Sequence, residues 1–216
     1  VTGPFREHPS DTPHSAGTIE SDRSPERIVF FTDAAVAIAL TLLVLPLSEL
    51  VPELVTEQRP AIEAITHNQW KIFSFLLSFI VIAKLWFEHH RLFEQVRAYN
   101  GPLVVMNFCW VLTIVILPFP TEIAGAYSND RFSVLFYVGT ILASTACQCA
   151  LTMIVRLNPE TASSSSAISD RWMINSLAST SVLAIAFVVA VLWPNLGYYA
   201  LLLLMIPSHF ARWVTK

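Results

Sequence analysis

Between Ile28 and Leu47 lie 20 residues that carry one charge, Asp33. A run of that length and polarity is long enough to cross the hydrocarbon core of a bilayer as a helix. In lipid a single segment can satisfy its own backbone only as a helix, so the stretch leaves the chain few alternatives. Its start is marked: Ser24 suits an N-cap and Pro25 the first helical position. Arg27 stands at the mouth, and Asp33 lies six residues further in, roughly 9 Å along the axis at a rise of about 1.5 Å per residue. A carboxylate within a span costs about 3 kcal/mol at the centre and less near an end, so it is expected to face protein or water.

The rest of the chain fits a membrane protein. Of 216 residues, 54% are hydrophobic and 13% charged, with positive mean hydropathy. A net charge of −3 and no block of basic residues argue against a nucleic-acid partner. Cys109, Cys147 and Cys149 all fall in apolar runs. An odd count within spans suggests small apolar fillers rather than a disulfide framework. The first 26 residues are polar and lack the apolar segment of a signal peptide, so the first span is expected to act as its own uncleaved insertion signal. Val1 in first position suggests an alternative start codon and a prokaryotic source.

Residues 1–24 read as a disordered cytoplasmic tail. Spans are expected at about 27–47, 70–88, 103–119, 132–155, 172–193 and 198–213, giving an all-α polytopic protein with six transmembrane helices. Trp70 and Trp86 sit like interface anchors at the two ends of the second. Leu117-Pro118-Phe119-Pro120-Thr121 is expected to close the third. The connection after the first span is acidic, with Glu49, Glu53, Glu57 and Glu63 against Arg59. It reads as a solvated loop or short surface helix that could concentrate cations. An even number of spans puts both termini on one side. That side carries Arg6, Arg23, Arg27, Arg91, Arg97, Arg156, Arg171, Arg212 and Lys216, whereas the other has Arg59, Lys71 and Arg131. The positive-inside rule makes the terminal side cytoplasmic, in a multi-pass protein of the cell membrane.

On a helical wheel with Ile38 at zero, Leu42 falls near +40°, Leu45 near −20°, Thr41 near −60°, Phe31 near +20° and Arg27 near −20° at about 100° per residue. Asp33 lies roughly 140° away. One narrow face thus holds Arg27, Phe31, Ile38, Leu42 and Leu45, and the carboxylate points elsewhere. Such a stripe is also what ordinary bundle packing requires. Arg27 and Asp33 are not i,i+4 neighbours, so each needs partners from other helices. Trp86, His89, His90 and Asn107 fall at the same level of the bundle, and a polar cluster among them would satisfy Asp33. A structural tether is the plainer role for Asp33, and carrying a proton or cation is the alternative. Glu88, His89 and His90 do not make a metal site: adjacent histidines point about 100° apart on a helix, and no matching ligand spacing follows. No cofactor motif appears, nor any pairing of nucleophile and base, so the chain is not expected to be an enzyme. The Thr-Val-Gly-Tyr-Gly filter of potassium channels is absent as well.

Arg27-x-x-x-Phe31-Thr32-Asp33, followed by Ala34 and by Ala37-Ile38-Ala39-Leu40-Thr41-Leu42-Leu43, resembles the first-helix fingerprint Arg-x-x-x-Phe-Ser-Asp of the endosomal/lysosomal potassium channel family (transmembrane-protein-175 type) and its prokaryotic relatives. Thr32 stands where that pattern has serine. Ser74-Phe75 and Trp86-x-x-His89-His90-Arg91 are similar to the family's second helix, and Asn107 with residues 117–121 to its third, although Pro120 replaces a small polar residue. The resemblance covers most of the first three spans and is thin beyond them. It implies a passive, potassium-permeable homotetramer in the lipid bilayer, with residues 25–216 as a six-helix channel domain. It also implies a central pore lined by the first helix, constricted by a ring of Ile38 with Leu42 and Leu45 as further rings and Thr41 beside them. In that frame Arg27, Phe31, Thr32, Asp33, Trp86, His89, His90 and Asn107 form a structural polar network. The alternatives left by the residues are a secondary transporter using Asp33 and a membrane scaffold without flux.

Overall fold

In the computed structural model the described residues are 26–127, 130–158, 161 and seven positions between 180 and 192. They form eight helices: α1 (Glu26–Leu42), α2 (Leu45–Ser48), α3 (Leu50–Thr56), α4 (Glu63–Thr66), α5 (Gln69–Phe93), α6 (Gly101–Ile116), α7 (Pro118–Ala126) and α8 (Arg131–Leu157). Four helical runs among these residues are long and apolar enough to cross a membrane: Glu26–Thr56, Gln69–Phe93, Gly101–Ala126 and Arg131–Leu157. The chain is a multi-pass membrane protein. The fifth and sixth spans expected at 172–193 and 198–213, the 1–24 tail and the Ser24 cap lie outside the described residues, apart from the scattered positions near 180–192.

Prolines explain where the first run bends. Pro46 has no N–H to return to Leu42, so the α1 ladder stops and tightens, with Val44 N–H on the Thr41 carbonyl at 3.3 Å. The helical path then resumes as α2 and α3. Of the solvated loop or short surface helix expected after Leu47, it is the helical form that occurs: the segment is largely helical to Thr56, with α4 beyond it. Arg59 bridges this acidic segment, its Nε 2.6 Å from Glu63 and its Nη1 3.2 Å from Glu57. The bond to Glu63, then that to Glu57, raises the guanidinium above its ordinary pKa.

Elsewhere the ends are capped by side chains. Asn100 accepts from Leu103 N–H at 2.9 Å to open α6, and Asp130 accepts from both the Ser133 N–H at 2.9 Å and the Ser133 hydroxyl at 3.1 Å to open α8. The third span does not close at residues 117–121. Leu117 stays in the right-handed helical region and Pro118 starts a new helix. A proline in a first turn loses no hydrogen bond, so the chain kinks there and continues to Ala126 instead of stopping.

The most extensive packing is α6 on α8 and α5 on α7, with α1 leaning on α6 and α5. Ile82, Leu92, Trp110, Ile114, Leu117, Ile141 and Leu151 fill the interior. In lipid, such helices are held by close contact and by hydrogen bonds between them, since the tails outside are equally apolar. Both devices are present. A Cβ on Gly125 would come within 3.2 Å of the Lys71 Cα, so α7 sits against the α5 backbone where only glycine fits without adjustment. Buried hydroxyls tie α5, α7 and α8: Ser78 Oγ lies 2.8 Å from Thr121 Oγ1 and 2.7 Å from the Tyr137 hydroxyl. Thr121 donates its proton to the Leu117 carbonyl at 2.7 Å. Ser78 must then donate to Thr121, and Tyr137 to Ser78.

Candidate pore face and its anchoring network

α1 has two faces of opposite character. Thr32, Val36, Ala39 and Leu43 turn inward onto α5 and α6 and are buried. Their spacing of four, three and four residues is the helical repeat, and it places the other stripe on the far side. On that side Ile38 is 60% exposed and Leu42 43%, and Leu45, which opens α2, is 51% exposed. These large apolar side chains are turned away from their own bundle. Thr41 lies beside them, exposed, with its hydroxyl donated to the Ile38 carbonyl at 2.7 Å. Its proton is thereby engaged, and Oγ1 presents lone pairs outward: an acceptor, not a donor.

Two polar residues of α1, Thr32 and Asp33, point into the bundle, toward two separate partners. Buried Asn107 on α6 donates from Nδ2 to Thr32 Oγ1 at 2.9 Å, and its Oδ1 lies 2.7 Å from His89 Nε2 on α5. With the amide nitrogen directed at Thr32, the oxygen must accept, so Nε2 of His89 carries a proton. The His89 ring is clamped between Phe93, at 4.4 Å, and Trp110, at 4.1 Å, both nearly parallel to it. That chain of bonds joins the first three spans through one buried amide. Asp33 belongs to a second contact, accepting from the Trp86 indole N–H at 2.8 Å.

The remaining residues named from sequence are placed differently. Phe31 is half exposed and meets Phe108 of α6 at 5.5 Å. His90 packs its ring 5.4 Å from Trp86 and faces Glu94 at 3.7 Å, so it takes no part in the Asn107 chain. Arg27 is exposed and makes no hydrogen bond or ion pair within the described residues. Among the described residues, therefore, Arg27 is not tethered to the other helices. No sequence motif singled out Trp110 or Phe93. They stand three residues after Asn107 and four after His89, spacings that put each beside its neighbour on one helix face and could have found them.

With this geometry in place, comparison with known proteins gives the following. The model of the family described as endosomal/lysosomal potassium channel TMEM175 matches residues 27–118. A potassium channel of Chamaesiphon minutus is 31% identical over 121 residues, 54% of this chain and 59% of that one. A potassium channel of a Chryseobacterium species is 26% identical over 147 residues, 68% of this chain and 73% of that one. The endosomal/lysosomal proton channel TMEM175 of Danio rerio is 22% identical over 133 residues, 62% of this chain but only 25% of its own length. The chain thus spans a quarter of the Danio rerio relative and 59% of the Chamaesiphon one. Among solved structures, the crystal structure of a lysosomal potassium-selective channel TMEM175 homolog from Chamaesiphon minutus superposes with a TM-score of 0.68 at 22% identity. It covers 83% of this chain and 94% of that one, which shows a shared fold.

Proposed function

We propose that this chain, a relative of the TMEM175 channels through residues 27–118, forms a potassium-permeable cation channel that conducts passively through a central pore. The matched family is one of ion channels, not of enzymes. In this reading each subunit has six spans, four subunits surround the axis, and both termini face the cytoplasm. The observation that carries it is the outward face of α1, where Ile38 and Leu42 stand exposed on the side opposite the bundle contacts, with Leu45 exposed at the start of α2. Four copies of that face around an axis would make successive apolar rings, with the Thr41 oxygens beside them. A neck of apolar side chains gives water nothing to bond with, so a hydrated ion sheds part of its shell to pass. Potassium, the larger ion, sheds it at lower cost than sodium, which supports a potassium preference.

Asp33 as the coupling site of a secondary transporter is the less supported reading. Its carboxylate already accepts from the Trp86 indole, and it lies off the exposed stripe.

Purified chain in liposomes separates these readings. Potassium flux down its gradient should exceed sodium flux, should rise without saturation, and should be indifferent to an imposed proton gradient. Saturating flux that depends on a proton gradient would instead support the transporter, and a tight bilayer would remove both.

A further inference from the structure

Two polar atoms inside the bundle stand outside both of the contacts that anchor α1. Nε1 of Trp110 on α6 and Oε1 of Gln148 on α8 are buried, and neither has a hydrogen-bond partner among the described residues. The side chains that carry them are enclosed as well, Trp110 being 0% exposed and Gln148 5%. The indole N–H can only donate, and the amide oxygen can only accept. Buried groups of either kind are nearly always satisfied, and each costs free energy while it is not.

The helix register brings the two to one layer. Ser144 donates to Thr113 Oγ1 at 2.8 Å and so fixes α8 against α6 at that level. These helices belong to consecutive spans, which cross in opposite directions. Trp110 stands three residues before Thr113, and Gln148 four after Ser144. Those steps are displacements of about 4.5 Å and 6 Å in the same direction. Steps of three and four also keep each residue on the face that carries the fixed pair. The adjacent Cys109 is exposed and Cys147 half-buried, so the cysteines take the outer flank of the layer and Trp110 and Gln148 the inner one. The Trp110 ring is held 4.1 Å from the His89 ring and is not free to turn toward another partner.

We propose that this layer binds one water molecule, which accepts from the Trp110 Nε1–H and donates to Gln148 Oε1, tying α6 to α8 inside the bundle. A buried water makes two to four such bonds and has both a lone pair and a proton to give. Ser144 Oγ directs its own proton to Thr113 Oγ1 and to the Thr140 carbonyl at 3.1 Å, which leaves it an acceptor for the second water proton. The same pair of atoms disfavours ions. An indole N–H meets a cation with its positive end, and an amide oxygen meets an anion with its negative end. Only a small neutral molecule with a donor and an acceptor suits both. The site therefore holds whether or not the chain conducts.

Proton-detected solid-state NMR of the full chain in phosphatidylcholine bilayers, with the indole nitrogens labelled, tests this. Trp110→Phe assigns the Trp110 resonance by its loss. Magnetisation transfer from water to the Trp110 indole proton is expected despite its burial, with Trp70, 55% exposed, as the reference. Gln148→Met removes the acceptor at similar volume, and should abolish that transfer while Trp70 keeps its own. Stability gives a second readout. Trp110→Phe and Gln148→Met should each lower the folded-to-unfolded ratio about tenfold, the scale of one buried polar group left unsatisfied. The double variant should lose less than the product of the two, because the partners share one water. No transfer to Trp110, as for a dry indole or one bonded directly to Gln148, would overturn the proposal. So would transfer undiminished in Gln148→Met, or losses that simply multiply.

Discussion

Replacing Ile38 by asparagine is expected to raise single-channel conductance about tenfold and to draw the potassium-to-sodium permeability ratio toward unity. Ile38 is the most exposed of the three large residues on the outward stripe of α1 and the start of α2. In a fourfold assembly it would be the first apolar ring met after the anchored lower half of the helix. An ion in such a ring lacks the oxygens it had in water. A carboxamide returns one, worth on the order of 1–3 kcal/mol to a poorly solvated polar group. Each 1.4 kcal/mol or so removed from a barrier is about tenfold in rate. Discrimination should fall with the barrier, because the difference in dehydration between the two ions operates only while dehydration is required. Bi-ionic reversal potentials of Ile38→Asn and Ile38→Ala, beside Leu42→Asn and Leu45→Asn, check this, with the Ile38 pair giving the larger change. Unchanged conductance and selectivity in both Ile38 variants would move the constriction to Leu42 or Thr41.

Asn107→Leu should act in the opposite way, damaging the fold and leaving selectivity alone. The substitution removes the acceptor for the buried His89 N–H and the donor to buried Thr32 in one step. A buried group left unsatisfied costs about 1–3 kcal/mol, and two are created here, at the junction of three spans. The expected result is a lower yield of assembled protein and a lower unfolding midpoint in detergent, with a normal permeability ratio in whatever assembles. Asp33→Asn should be milder, since its amide oxygen can still accept from the Trp86 indole. A stable Asn107→Leu assembly with altered selectivity would show that the network contributes to permeation directly.

The sequence carries the outline of this molecule better than its joints. A run of 20 residues with one charge dictates a spanning helix, and the helical repeat alone separates the Ile38 stripe from Asp33. Levels within the bundle follow from where each span begins and ends, so Trp86, His89 and Asn107 group together by position along the chain. Pairings do not follow, because a level says nothing of the angle at which each side chain leaves its helix. His90 turns to Glu94 and Arg27 to no partner within the described chain, whereas neighbouring His89 and Thr32 meet on Asn107. The prolines misled for a similar reason. Pro46 interrupts its helix, yet Pro118 and Pro120 fall in a first turn where the missing N–H is not needed, and α7 runs on to Ala126. The approach of Gly125 to the Lys71 backbone depends on how two helices meet, and no local pattern announces it.

The central claim, that the outward face of α1 lines the pore, is tested most directly by placing a thiol there. In a chain with Cys109, Cys147 and Cys149 replaced by alanine, Ile38→Cys and Ala39→Cys give adjacent positions on opposite faces: Ile38 is 60% exposed and Ala39 1%. A positively charged thiol reagent applied to conducting channels is predicted to abolish current through Ile38→Cys and to leave Ala39→Cys conducting. Block of Ala39→Cys with Ile38→Cys untouched would place the permeation path on the other side of the helix and contradict the account.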